Sequence, residues 1–265
     1  MKKIKLTIIC IITIYAIFAN YAVIYAGNNQ ESYSWYLQYG APGTSPRCVD
    51  LSKFNEKHDY IWLDDTKSGK VYLTFDVGYD DGNVEPILDA LSKHNAKAAF
   101  FVLPNFITTC PHLIDRMNNE GHLICNHSTH HRDMSKVSTV EEFENELKGV
   151  EDIYRSQTGK EMEKYFRPPE GKFSENTLKF ADELGYRTVF WSLAHADWDK
   201  NKQPNPQKAL EKLLSRVHDG SVVLLHPTSA TNAAIMDDLL SGIEAKGFSF
   251  ATLDEFPPQS SGGIL

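Results

Sequence analysis

From residue 70 onward, short apolar runs alternate with longer stretches of helical period. Residues 71–75, 98–102, 122–125, 165–167, 188–191, 221–225 and 248–253 are runs of aliphatic, aromatic and β-branched side chains that read as buried strands. Between them, residues 84–94, 111–120, 139–156, 174–184, 206–217 and 232–245 repeat apolar positions at three- and four-residue spacing, which reads as helix. Punctuation agrees with these limits. Pro111 opens one helix, Thr139 with Glu142 forms a capping-box pattern, and Gly159, Gly185 and Gly247 follow helix ends. Strict alternation of short strands with helices implies a parallel sheet under helical cover. A closed or nearly closed α/β barrel of (β/α)7 type is the first reading, and a doubly wound open sheet is the second.

The flanks break this rhythm. Met1 to Lys5 carries three lysines and no acid, and residues 6–26 carry no charge at all. That pattern reads as a signal peptide cut near Ala26 or as a retained membrane anchor of 21 residues, and both export the remainder. Residues 27–65 are polar and irregular, yet they hold Trp35, Tyr36, Tyr39, Tyr60, Ile61 and Trp62. So many aromatics indicate a segment that wraps onto the main domain, which occupies 66–256. Residues 257–265 read as a flexible tail.

Composition narrows the function classes. The 265 residues are 42% hydrophobic and 23% charged, as expected of a globular enzyme-sized domain. The net charge of −8 becomes −11 once the three amino-terminal lysines are set aside, which argues against nucleic acid as a partner. Any membrane contact is assigned to the amino-terminal segment alone, and no feature indicates an oligomeric state. Beyond Cys10 lie Cys48, Cys110 and Cys125; this odd count excludes a complete disulfide framework and leaves a Cys110–Cys125 bridge as one arrangement. No glycine-rich nucleotide loop follows any strand.

In parallel α/β folds, chemistry gathers at the carboxyl ends of strands. Here those ends carry Asp76, then His127 with His131, then Arg167 and Glu170, then Asp197, then His226. One Asp after a strand is commonly a helix cap, and one His there is commonly structural. Five such groups on one rim are not explained that way. His127 and His131, four apart, point the same way on a helical turn or tight loop and suit two imidazole ligands of one metal. His130 lies off that face.

These residues resemble the polysaccharide deacetylases of carbohydrate esterase family 4, which contain the NodB homology domain. Thr74-Phe75-Asp76-Val77-Gly78 matches the first family motif, and His127-Ser128 with His131 the second. Arg167, Pro169 and Gly171 match the third, Asp197-Trp198 the fourth, and Leu224 with His226 the fifth. The resemblance implies a distorted (β/α) barrel and hydrolysis of N-acetyl groups on amino sugars. It implies Asp76 as general base oriented by Arg167, and His226 as general acid paired with Asp197. It also implies a divalent cation (Zn, or Mg, Mn or Co) on His127 and His131, and a backbone N–H of Glu170 at the oxyanion. Trp198 and Leu224 would line the acetyl pocket, with Glu170 and Gly171 near substrate and His195 at the rim.

The chain departs from the family at Val77, where most members carry a metal-ligating Asp. Weak metal binding is therefore expected, with Asp80 or Asp81 as alternative carboxylate ligands. The longer run Thr74 to Gly82, with the stretches 34–62 and 190–192, resembles a subgroup, the delta-lactam-biosynthetic de-N-acetylases of sporulating bacteria. That subgroup implies N-acetylmuramic acid in spore cortex peptidoglycan as substrate. A glucosamine deacetylase and a non-catalytic glycan binder are the alternatives.

Overall fold

The computed structural model describes residues 31–49, 54 and 58–258. The expected export segment 1–26 and tail residues 259–265 lie outside them. Among the described residues, no helix is long and apolar enough to cross a membrane.

Four short strands precede the main alternation: β1 (Tyr33–Ser34), β2 (Leu37–Gln38), β3 (Arg47–Cys48) and β4 (Tyr60–Ile61). Then follow β5 (Lys70–Val77), helix α1 (Val84–Lys93), β6 (Ala99–Val102), α2 (Pro104–Thr109), α3 (Pro111–Asn119), β7 (Leu123–Asn126) and α4 (Val140–Thr158). The chain continues through β8 (Tyr165–Phe166), β9 (Lys172–Phe173), α5 (Glu175–Glu183), β10 (Arg187–Val189) and β11 (Leu193–Ala194). It ends with α6 (Pro206–Arg216), β12 (Val222–Leu225), α7 (Ala230–Ala245) and β13 (Ser249–Ala251).

Nine strands form one sheet in the order β11-β12-β5-β6-β7-β8-β10-β4, with β13 paired to the start of β5. All its pairings are parallel. The strand expected over 188–191 ends at Val189, and a separate short strand follows beyond the run. Arg187–Val189 pairs with β8, while Leu193–Ala194 pairs with β12 at the opposite edge. Phe190 to Ser192 therefore carries the chain from one end of the curled sheet, where only β4 lies beyond β10, to the edge strand β11 at the other. The amino-terminal segment also enters the sheet, because β4 lies parallel beside β10.

The two-residue period of β5 sorts its side chains. Val71, Leu73, Phe75 and Val77 join an outer core with Ile87, Leu88 and Leu91 of α1 and Leu239 and Leu240 of α7. Tyr72 joins an inner core with Phe101, Cys125, Val189 and Val222, and Phe256 packs against Tyr72 below. Thr74 and Asp76 continue that inward face toward the carboxyl end, where the apolar filling stops. On β12, Val223 and Leu225 likewise join the outer core.

Thr139 caps α4 by accepting from the Glu142 N–H (3.2 Å), and Gly159 ends it at φ 69°. The reciprocal half of the expected capping box is replaced: the Glu142 carboxylate turns to Arg132, where an ion pair is available. Neither Cys110 nor Cys125 is in a disulfide. Cys125 faces the inner core while Cys110 packs against the outer one, so the sheet separates them.

Candidate active site

All five functional strand ends open on one rim. Asp76 stands near the end of β5. His127 directly follows β7, Arg167 directly follows β8, and His226 directly follows β12, while Asp197 lies three residues past β11. Phe75 is in register with Leu225, so Asp76 and His226 leave neighbouring strands at the same level.

Arg167 is fully buried, with its guanidinium 4.2 Å above the Phe101 ring that tops the inner core. Every face of the fork is used. Nη1 donates to Asp76 Oδ1 (2.7 Å), Nη2 to Thr74 Oγ1 (2.8 Å), and Nε to the Val189 carbonyl (3.1 Å). Thr74 in turn donates to the Val223 carbonyl (2.7 Å). Burial pushes the Asp76 carboxyl up, but the Arg167 charge, with His127 and His226, outweighs it and holds the group below its ordinary 3.8. Asp76 is thus kept ionised, with Oδ2 pointing on toward His127 Nε2 at 3.6 Å.

His127 donates its Nδ1–H to the Arg167 carbonyl (2.9 Å), which leaves the Nε2 lone pair bare. Burial lowers its pKa to about 4, against the pull of Asp76, so the ring is neutral at physiological pH. His131 meets it edge-on with ring centroids 5.0 Å apart. A tight loop, not a helical turn, brings them together: Ser128 (φ 66°) and His131 (φ 50°) are both left-handed. Asn126 braces this loop, accepting from the Ser128 N–H (2.9 Å) and donating to the Leu147 carbonyl (2.9 Å).

The His127 imidazole, with its lone pair already selected, and the His131 ring beside it fit two positions of a divalent cation's shell. Among the described residues no third protein ligand joins them. Val77 lies in the outer core, and neither expected substitute serves. Asp80 Oδ1 accepts from the backbone N–H groups of Gly82, Asn83 and Val84 at the start of α1. Asp81 faces Lys200 at 3.8 Å. Among the described residues no cluster of three or more His, Cys, Asp or Glu side chains could hold a metal.

On the other side, Asp197 is buried and accepts from both the His226 N–H (2.9 Å) and His226 Nδ1–H (2.8 Å). Burial alone would depress the His226 pKa, but the bond and charge of Asp197, with the charge of Asp76, raise it above 6.5. Asn232, which the motifs did not indicate, completes this unit. Its amide donates to Asp197 Oδ2 (2.6 Å) and the His226 carbonyl (3.0 Å), and its oxygen meets His195 Nε2 at 2.9 Å. His195 is therefore a buried support and not the rim contact expected. Asn232→Ala should lower kcat/KM about tenfold and stability by about 1–2 kcal/mol, since two buried acceptors lose their donor. Steady-state kinetics with chemical denaturation measure both, and an unchanged kcat would contradict the role.

The remaining expected residues divide. Leu224 is buried in β12 beside Thr74, outside the outer core that takes its neighbours Val223 and Leu225, as a pocket wall requires. Trp198 is 64% exposed and forms an open aromatic surface, not an enclosed wall. The Glu170 side chain turns outward to Lys172 (2.6 Å), which leaves only its left-handed backbone (φ 57°) at the strand end. Gly171 has a packing role. A Cβ there would lie 2.7 Å from the Trp191 ring and 3.0 Å from Trp35, whose backbone N–H donates to the Gly171 carbonyl (2.8 Å).

Comparisons with known proteins agree with this geometry. The polysaccharide deacetylase profile matches residues 64–189. The peptidoglycan-N-acetylmuramic acid deacetylase PdaA of Bacillus subtilis is 41% identical over 206 residues, 77% of this chain and 78% of that protein. A peptidoglycan-N-acetylglucosamine deacetylase of Bacillus cereus is 34% identical over 202 residues, 75% of this chain and 72% of that one. The solved structure of B. subtilis PdaA, described as a family 4 carbohydrate esterase, superposes with a TM-score of 0.81 at 38% identity. It covers 85% of this chain and 97% of its own.

Proposed function

The chain belongs to the polysaccharide deacetylase family, and we propose that it removes the acetyl group from N-acetylmuramic acid residues of peptidoglycan. The observation that carries this reading is the intact pairing of Arg167 with Asp76 and of Asp197 with His226 on one rim. It is supported by 41% identity to an enzyme named for that substrate.

Deacetylation splits an amide, which needs an activated water, a stabilised oxyanion and a protonated leaving amine. Asp76 takes the proton from water through Oδ2, while Arg167 holds Oδ1 and fixes the carboxylate plane. His226 delivers a proton from Nε2 to the departing amine, with its Nδ1–H held by Asp197. Because the Asp76 pKa is depressed, its basicity is low and the water must be made more acidic. The family's deacetylases are generally metal-dependent. His127 and His131 would hold the cation, which when bound polarises the acetyl carbonyl and acidifies water. With two protein ligands, its affinity should be below that of a three-ligand site.

The freed amine shares its sugar ring with the lactyl carboxyl, so the product is the precursor of a muramic delta-lactam, the modification of spore cortex. Such a substrate lies outside the cell membrane, a location that the basic and then uncharged pattern of residues 1–26 supports. The test is incubation of purified protein with defined peptidoglycan fragments, followed by mass spectrometry. Loss of one acetyl group from muramic residues, abolished by chelator and restored by a divalent cation, is the expected result. Loss from glucosamine residues would transfer the reading to a glucosamine deacetylase. No acetate release with any cation would leave a non-catalytic glycan binder.

A further inference from the structure

The loop carrying both candidate metal ligands is fastened to one side of α4. The Thr129 N–H and hydroxyl both donate to the Glu146 carbonyl (2.9 and 2.7 Å). The Glu146 carboxylate is buried on the inward side of α4, as is Glu151 one turn and a half further on. Its Oε2 accepts from the His130 N–H (3.1 Å), and its Oε1 meets His130 Nδ1 (3.0 Å), with Arg132 Nη1 at 3.7 Å. His130 is itself mostly exposed, so the carboxylate is spent on the loop backbone and not on a buried ion pair.

Gly149, one turn further along α4, shows how close the approach is. A Cβ there would lie 2.2 Å from Thr129 Oγ1 and 3.0 Å from its methyl. Glycine inside a helix weakens it relative to alanine, and nothing in the conformation of this position calls for it. Close approach of Thr129 accounts for its presence.

We propose that Glu146 and Gly149 are positioning residues that set the spacing of His127 and His131. Thr129 and His130 lie between the two histidines, so a displacement of either moves one imidazole relative to the other. The left-handed residues Ser128 and His131 hold conformations that a loop free of α4 would leave, since each is costly for a side chain with a Cβ. This inference rests on the reading of the two histidines as a cation seat, and its consequences extend to the metal-free protein.

The experiment compares wild type, Gly149→Ala, Glu146→Gln and the double variant Thr129→Gly/Gly149→Ala. Binding of Co²⁺ and Zn²⁺ is followed by absorption and calorimetry. The imidazole nitrogens of His127 and His131 are followed by NMR without metal, and melting temperatures are recorded. Alanine is the stronger helix former but collides with Thr129, so a purely structural role changes the melting temperature and leaves the imidazole signals and cation affinity unchanged. Positioning predicts a folded Gly149→Ala with cation affinity and kcat/KM each down about tenfold and shifted imidazole signals. Most of that loss should vanish in the double variant, where the steric conflict is gone. Should Gly149→Ala not fold, Glu146→Gln carries the same expectation through its weakened hold on His130. A wild type that binds no cation would remove the cation reading, while the imidazole signals still decide the spacing. Folded variants with wild-type imidazole signals and kcat/KM would overturn the proposal.

Discussion

Replacing Asp76 with Asn is expected to lower kcat/KM about 10³-fold, the scale of losing one positioned proton acceptor. The substitution is not silent for the fold. Asn keeps an acceptor for Arg167 Nη1 but removes the counter-charge of a fully buried guanidinium, at a cost of about 2 kcal/mol. Activity and chemical denaturation must therefore be read together, and full activity in a folded variant would remove Asp76 from the mechanism. In the wild type, the pH–rate profile follows from the two shifts. The base must be ionised, so activity falls as pH drops through the Asp76 pKa, below 3.8. The acid must be protonated, so activity falls as pH rises through the His226 pKa, above 6.5. In Asp76→Asn the acid limb assigned to this carboxylate disappears and the alkaline limb remains, shifted down because one charge favouring imidazolium is gone.

Replacing Arg167 with Met should be the most damaging single change to stability, at roughly 3–5 kcal/mol. It leaves the buried Asp76 carboxylate without its partner, whereas the pair together is satisfied. Thr74 and the Val189 carbonyl lose partners as well. The sign of the pH effect reverses with it. In the wild type the depressed Asp76 pKa contributes stability above about pH 4, which is lost as pH falls through the native value. Without Arg167, burial dominates and raises the Asp76 pKa, so the variant loses stability as pH rises through that raised value and its acid limb of activity moves upward. Denaturation of both proteins at acidic and neutral pH measures this. A variant equally stable at neutral pH would show that Arg167 is replaceable by apolar volume.

Much of this was legible because it is local. The period of β5 assigns Leu73 and Phe75 to one face and Thr74 and Asp76 to the other, and the motifs at successive strand ends imply one shared rim. Helix limits set by Pro111, Thr139 and Gly159 follow from backbone chemistry that acts within a few residues. The short helix α2 was missed because six residues carry too little periodicity to show.

What the tertiary structure decided are contacts between residues far apart in the chain. Val77 has the composition of a lost ligand in the sequence, but its place in the outer core comes from strand phase and the packing of α1. Asp80 and Asp81 could equally face a cation until the start of α1 and Lys200 claim them. Asn232 lies 35 residues from Asp197, Gly149 lies 20 from Thr129, and no spacing rule connects either pair. The separation of 187–189 and 193–194 into strands at opposite ends of the sheet is likewise invisible in the apolar pattern, because both stretches are similarly buried. Sequence determined which chemical groups stand at the strand ends, since period and motif are properties of neighbouring residues. Curling of the sheet determined which of those groups meet and what supports them, because hydrogen bonds and steric limits act through space.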